Sequence, residues 1–158
     1  MRQVWIPKKV GGPGVLQVRE APDPTPGPGQ VSIDVAYSGV NFADIMARMG
    51  LYPDSPPRPC VVGYEVSGTI RAVGDGVTGF TPGQRVVCAT RFGGYTDVLV
   101  SPANLVVALS EAVDLQAAAA LPVNYLTAWI MLVHLGNVQP GERVLVHSAG
   151  GGVGLAAL

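Results

Sequence analysis

The residues best suited to chemistry lie in one stretch, Glu142–Gly154, which reads Glu-Arg-Val-Leu-Val-His-Ser-Ala-Gly-Gly-Gly-Val-Gly. Val144, Leu145 and Val146 predict a buried strand, and the glycine run predicts a tight turn. Leu155, Ala156, Ala157 and Leu158 would open a helix. Strand, glycine turn and helix start together suit a dinucleotide pyrophosphate. Small residues let backbone N–H groups approach the phosphates, and the helix N-terminus adds partial positive charge. Ala149, Gly151 and Gly154 take the three glycine positions of that fingerprint. The candidate phosphate turn is therefore Ala149, Gly150, Gly151, Gly152, Val153 and Gly154. The residue that reads the ribose in such folds falls about 20 positions further on, past Leu158. Taken alone, the turn reads equally well as a plain loop.

A second group of polar residues is spread along the earlier chain. Asn41 precedes Phe42, Ile45, Met46 and Met49, whose spacing predicts one apolar helix face. Asn41 would cap this helix and Gly50 would end it. Asp44 and Arg48, four apart, predict a surface ion pair of about 0.3–0.5 kcal/mol. Tyr52 lies in the proline-rich loop Leu51–Pro59. Its phenol, with an ordinary pKa of about 10, can hydrogen-bond a substrate oxygen or supply its proton. Packing on proline is the plainer reading. Tyr64 reads either as a pocket wall or as a buried structural tyrosine. Glu65 reads as an organiser of backbone rather than a base. Thr127 sits mid-helix, where its hydroxyl can return to a preceding carbonyl. Cys60, Cys88, His134 and His147 have no ligand spacing, so no metal is expected.

These residues need elements to position them. Val4 and Ile6, the turn Gly11-Gly12-Pro13-Gly14, then Leu16 and Val18 predict a hairpin. Ala21–Gln30 is too rich in proline for helix or central strand. Val31, Ile33, Val35 and Tyr37 alternate as a strand. Short strands follow at Val66–Val73, Arg85–Ala89, Tyr95–Val100 and Leu105–Leu109, separated by glycine and proline turns. That turn density predicts a compact barrel or sandwich. After Leu109 the pattern becomes helical: Asp114–Leu121, then a helix opened by Pro122 and ended by Gly136. The fold class is α+β, with residues 1–109 and 110–158 as two architectures.

Hydrophobic residues make up 48% of the chain and charged ones 13%, with a mean hydropathy of +0.35. Such a chain needs an extensive core or a covered surface. The net charge of −1 carries no nucleic-acid footprint. The run Ala117–Val133 is broken by Pro122, Asn124 and Thr127 and falls short of the roughly 18 apolar residues of a span. Two unpaired cysteines and an N-terminus without a signal-peptide core lead to a cytoplasmic expectation.

Three ordered segments carry a resemblance. They are Asn41-Phe-Ala-Asp44 with Arg48, Gly50 and Tyr52; Gly63-Tyr64-Glu65 with Gly68, Gly74, Val77, Gly83 and Arg85-Val86; and Leu121-Pro-Val-Asn-Tyr-Leu-Thr127-Ala128 leading to Pro140-Gly141 and the glycine turn. Together they resemble the medium-chain dehydrogenase/reductase superfamily, and within it the zinc-free, zeta-crystallin-like quinone oxidoreductases. Pro-Val-Asn-Tyr-Leu-Thr-Ala and His-Leu-Gly-Asn look most like the vesicle amine transport protein-like members.

The resemblance implies a GroES-like β-barrel domain followed by the first βα unit of a Rossmann domain, so the chain looks like an N-terminal fragment. It implies an NADPH cofactor, with NADH as the alternative, and hydride transfer to a quinone or α,β-unsaturated carbonyl. Zinc-dependent relatives carry cysteine where Asn41 stands and histidine where Tyr64 stands. Neither replacement is a zinc ligand, so zinc is not expected. In the implied site Asn41 and Thr127 hold the nicotinamide, Tyr52, Asn41 and Asp44 serve catalysis, and Tyr64 lines the substrate pocket. A homodimer is implied for the full-length protein. The rival expectation is a non-catalytic, vesicle-associated or scaffold member of the same fold, or an inactive fragment that self-associates through open sheet edges.

Overall fold

The computed structural model describes residues 1–158. The first hairpin forms as its alternation dictates: β1 (Arg2–Ile6) pairs antiparallel with β2 (Gln17–Glu20), with Val4 opposite Val18. On its other side β1 pairs with a two-residue strand, β4 (Cys60–Val61), that the proline-rich surroundings hid from sequence reading. The resulting sheet has the order β2-β1-β4.

A five-stranded antiparallel sheet forms the main body, in the order β7-β3-β5-β6-β8. Its strands are β3 (Gln30–Ser38), β5 (Glu65–Val73), β6 (Arg85–Ala89), β7 (Val98–Pro102) and β8 (Val106–Ala108). The period of two puts Val31 and Ile33, Val66 and Ile70, and Val86 and Cys88 on one inner face. With Leu99 and Val106 they make the principal core. A smaller core of Ile6, Ala47, Cys60 and Val62 lies under the loops, with Tyr52, Phe92 and Tyr95 packed against it. This half-barrel, with helices added, is the expected α+β class.

Helix α1 (Phe42–Arg48) corrects the expected apolar face. Its buried residues are Asp44 and Ala47, while Phe42 is 73% exposed and Ile45 and Met49 are also exposed. The side facing the protein offers hydrogen-bond donors, which only Asp44 can satisfy.

After β8 the chain is helical. Asp114 caps α2 (Leu115–Ala118), accepting from the N–H groups of Gln116 and Ala117. Pro122 opens α3 (Pro122–Trp129), which continues through a π-helical stretch, Ile130–Leu135. No helix is long and apolar enough to cross a membrane. Helix α4 (Gly152–Ala157) starts three residues earlier than Leu155. The expected buried strand at Val144–Val146 is a second correction. The segment joins no ladder, with Val144 49% and Leu145 81% exposed. A strand is stable only where a neighbour takes its N–H and C=O groups, and no other strand of this chain lies beside it.

Candidate cofactor cleft

The site is assembled around two buried carboxylates. Asn41 is extended and caps α1, and its main-chain N–H donates to Asp44 Oδ2 at 2.9 Å. The same carboxylate accepts from the Gly63 N–H at 3.0 Å and the Tyr95 hydroxyl at 2.9 Å. Burial pushes the Asp44 carboxyl above its ordinary range, against the hydrogen bonds from Asn41, Tyr95 and Gly63 that favour the charged form. Burial, then the Asp44 charge and hydrogen bond, push the Tyr95 phenol up. The expected Asp44–Arg48 ion pair is absent because Asp44 turns inward. Arg48 instead donates to the Gly11 carbonyl at 2.7 Å.

Glu65 is the second carboxylate, 1% exposed. Its Oε1 accepts from Asn41 Nδ2 at 2.8 Å, and its Oε2 accepts from the Val123 N–H at 2.8 Å. It is the organiser of backbone that the sequence indicated, and its reach extends to the first turn of α3. Gly39 makes room for it, since a Cβ there would occupy the space of Glu65 Oε1 and lie 2.6 Å from the Ala119 carbonyl oxygen.

Tyr52, Tyr64 and Phe92 form an aromatic group. Tyr52 meets Tyr64 edge-on with ring centroids 6.3 Å apart, and Tyr64 lies 5.1 Å from Phe92. The Tyr64 hydroxyl is buried without a hydrogen-bond partner. Burial, then the neighbouring Tyr52, push that phenol up.

A cavity of about 760 Å³ lies between α1, α3 and the glycine turn. Asn41 and Phe42 line it from one side, Asn124 and Ala128 from α3, and His147, Ser148 and Gly151–Gly154 from the turn. Of the expected site residues it gathers Asn41, Gly151, Gly152, Val153 and Gly154. Ala149 and Gly150 belong to the same turn but do not line it. Nor does Thr127, half-buried on the neighbouring face of α3. Tyr52, Tyr64 and Asp44 also stand outside the lining.

Two glycines of the turn are tightly packed and one is open. A Cβ at Gly152 would lie 2.5 Å from Asn124 Oδ1, and one at Gly154 would collide with the Ser148 carbonyl, whereas Gly150 faces open space. Gly152 and Gly154 are thus required by the close packing of Asn124 and Ser148. The leading N–H groups of α4 are left without intrahelical acceptors. Cys60 and Cys88 are separately buried, and no three His, Cys, Asp or Glu side chains converge on a metal-sized site.

Sequence reasoning missed Asn124, whose amide donates to the Ala120 carbonyl at 2.8 Å and packs against Gly152. It also missed Tyr95, fifty-one residues from Asp44. Neither contact has a local signal, because Gly152 and Asp44 lie far from Asn124 and Tyr95 in sequence.

Residues 27–111 match the alcohol dehydrogenase GroES-like domain family. The chain belongs to that family and, with it, to the medium-chain dehydrogenase/reductase superfamily, in the branch that holds quinone oxidoreductases and VAT-1 proteins. It is 47% identical over 143 residues to the synaptic vesicle membrane protein VAT-1 homolog of Rattus norvegicus, covering 90% of this chain and 35% of that protein. A crystal structure of the human VAT-1 homolog-like protein superposes with a TM-score of 0.93 at 38% identity, covering 99% of this chain and 50% of that one. The Escherichia coli quinone oxidoreductase complexed with NADPH superposes with a TM-score of 0.90 at 35% identity, covering 99% and 48%. Enoyl reductases recur among the similar structures. The chain thus spans about a third of the VAT-1 relative and about half of these solved structures.

Proposed function

We propose that this chain forms the substrate-side domain and the phosphate turn of a zinc-independent, NADPH-dependent oxidoreductase acting on a quinone or α,β-unsaturated carbonyl, in a cytoplasmic homodimer. The observation that carries the reading is the cleft. It places Asn41 of the barrel part opposite Gly151–Gly154, in a cavity with apolar walls. Its relatives' names and the NADPH complex of the E. coli protein support the same class.

The residues divide the work as follows. Gly151–Gly154 hold the pyrophosphate by main-chain N–H groups and the α4 N-terminus. Asn41 offers a carboxamide to a carbonyl oxygen at the other end of the cleft. Phe42, Ala128, Met131 and Leu132 supply the apolar lining there. A reduced nicotinamide, when bound, supplies hydride. Quinones and enones suit a site without a Lewis acid, because they delocalise the incoming charge over their own conjugated oxygen. Tyr52 is the proton donor to that oxygen in this reading, although its ring packs against Tyr64 outside the cavity lining. The likeness to the E. coli protein complexed with NADPH supports NADPH, with NADH as the alternative.

The test is steady-state oxidation of NADPH with an aromatic ortho-quinone, using the protein at its full natural length. Turnover that falls at least tenfold in Asn41→Ala is expected. Intact NADPH binding with no turnover would favour the second reading, a non-catalytic vesicle-associated member, which the likeness to the VAT-1 proteins supports.

A further inference from the structure

We propose that Glu65 is a positioning residue that fixes the Asn41 carboxamide as a one-proton donor to the cleft and locks it to the start of α3. The activity arm of this inference rests on the oxidoreductase reading; its structural arm does not.

Glu65 is a buried carboxylate with no cation in its contacts. A charge in such a place is tolerated only where strong donors meet it. Its two oxygens take one donor each, from opposite walls of the same cavity. Asn41 Nδ2 comes from the α1 side and the Val123 N–H from α3, and both residues line the cleft.

The chemistry of an amide then fixes the orientation. A carboxamide has an acceptor oxygen and a nitrogen with two protons. Flipping the Asn41 amide would turn its oxygen onto the Glu65 carboxylate, so the nitrogen must face Glu65. One proton is committed to Oε1, and the second remains free for an acceptor. Asn41 is held at its main chain as well, through Asp44 Oδ2. It is thus clamped at both ends by separate buried acids. The ligand group it fits is a carbonyl or carboxamide oxygen, and a carboxylate is excluded from the same spot by Glu65 behind it. Gly39 belongs to the device, since any side chain there would displace the oxygen that holds Asn41.

Glu65→Gln replaces one acceptor oxygen by a donor and so cannot accept from both Asn41 and Val123. In the wild-type protein, amide NMR should show two well-separated Asn41 side-chain protons, one slow to exchange, with a protected Val123 N–H. In Glu65→Gln the pair should converge and the Val123 exchange rate should rise at least tenfold. Added NADPH should shift only the free Asn41 proton. In turnover with NADPH and an ortho-quinone, kcat should fall roughly ten- to hundredfold, the scale of a misplaced contact, with a smaller change in KM for NADPH. The double variant Asn41→Asp with Glu65→Gln restores the hydrogen bond with donor and acceptor exchanged. Its thermal stability should return towards wild type while kcat stays low. Unchanged Asn41 and Val123 signals in Glu65→Gln, or full recovery of kcat in the double variant, would overturn the proposal. If the wild-type protein binds NADPH but does not turn over, the oxidoreductase reading fails, and the NMR signals alone decide the role of Glu65.

Discussion

Strand β3 and the segment Val144–Val146 are both apolar, and both were read as strands. Val31 and Ile33 of β3 are fully buried, with β5 on one side and β7 on the other. Leu145 is 81% exposed and joins no sheet. The same contrast holds on a larger scale. Up to Leu109 the chain closes a core of its own, whereas from Ser110 onward only Ala118, Ala119, Ala128 and Gly154 are buried. Hydrophobic sequence therefore states what a segment can bury, and the presence of ladder partners decides whether it does. The barrel part is a folded frame, and the later helices are fastened to the start of its central strand, β5.

The sharpest break in this comparison is a core truncation. Ile33→Ala should cost about 2–5 kcal/mol in urea denaturation, as a cavity in a packed interior does. A loss below 1 kcal/mol would mean that the sheet core is as loosely filled as the helical part.

Next in size is Asp44→Asn, which should cost about 1–3 kcal/mol, because an amide cannot accept from Asn41, Gly63 and Tyr95 together. The pH dependence of that loss has a definite sign. Burial holds the Asp44 carboxyl of the folded state above its ordinary range, so the folded state binds its proton more readily. Ionisation of Asp44 costs stability above the folded pKa, and that cost is relieved as pH falls towards 3.8. The gap between wild type and Asp44→Asn should accordingly widen between pH 7 and pH 4. A gap that narrows would place the Asp44 pKa below its reference.

A smaller effect is expected at Gly152→Ala. Its Cβ would displace the Asn124 amide, a flexible group, so a loss of about 1 kcal/mol or less is expected together with weaker NADPH binding by titration. The smallest is Leu145→Ser, which should stay within about 0.5 kcal/mol in the 158-residue chain. A loss comparable to that of Ile33→Ala would show that Leu145 is covered in solution.

Much of the frame was legible because alternation and turn chemistry are local. Val31–Tyr37 and Arg85–Ala89 could be read from a few residues, and the family likeness from motif order. Of the residues that motif order grouped into one site, the cleft gathers Asn41 and Gly151–Gly154, while Tyr52, Tyr64, Asp44 and Thr127 stand outside its lining. What could not be read depended on partners far along the chain. The α1 stripe of Phe42, Ile45, Met46 and Met49 pointed to the wrong face, because Asp44 answers Gly63 and Tyr95, which no helical spacing reveals. Val144–Val146 looked buried because its composition is that of a central strand, and composition does not report whether neighbours exist. Asn124 was hidden because its contact with Gly152 is made across the cleft.

The attachments of the helices have a consequence for the frame. Ser67 Oγ donates to the Leu115 carbonyl at 2.5 Å, and Glu65 accepts from Val123. Both anchors are on β5, two residues apart, and neither belongs to the ladder. Releasing them leaves every rung of the five-stranded sheet intact. The starts of α2 and α3 are therefore tied to one strand by side chains that the ladder does not use, beside the Arg85 side chain of β6, which holds the Glu111 and Val113 carbonyls.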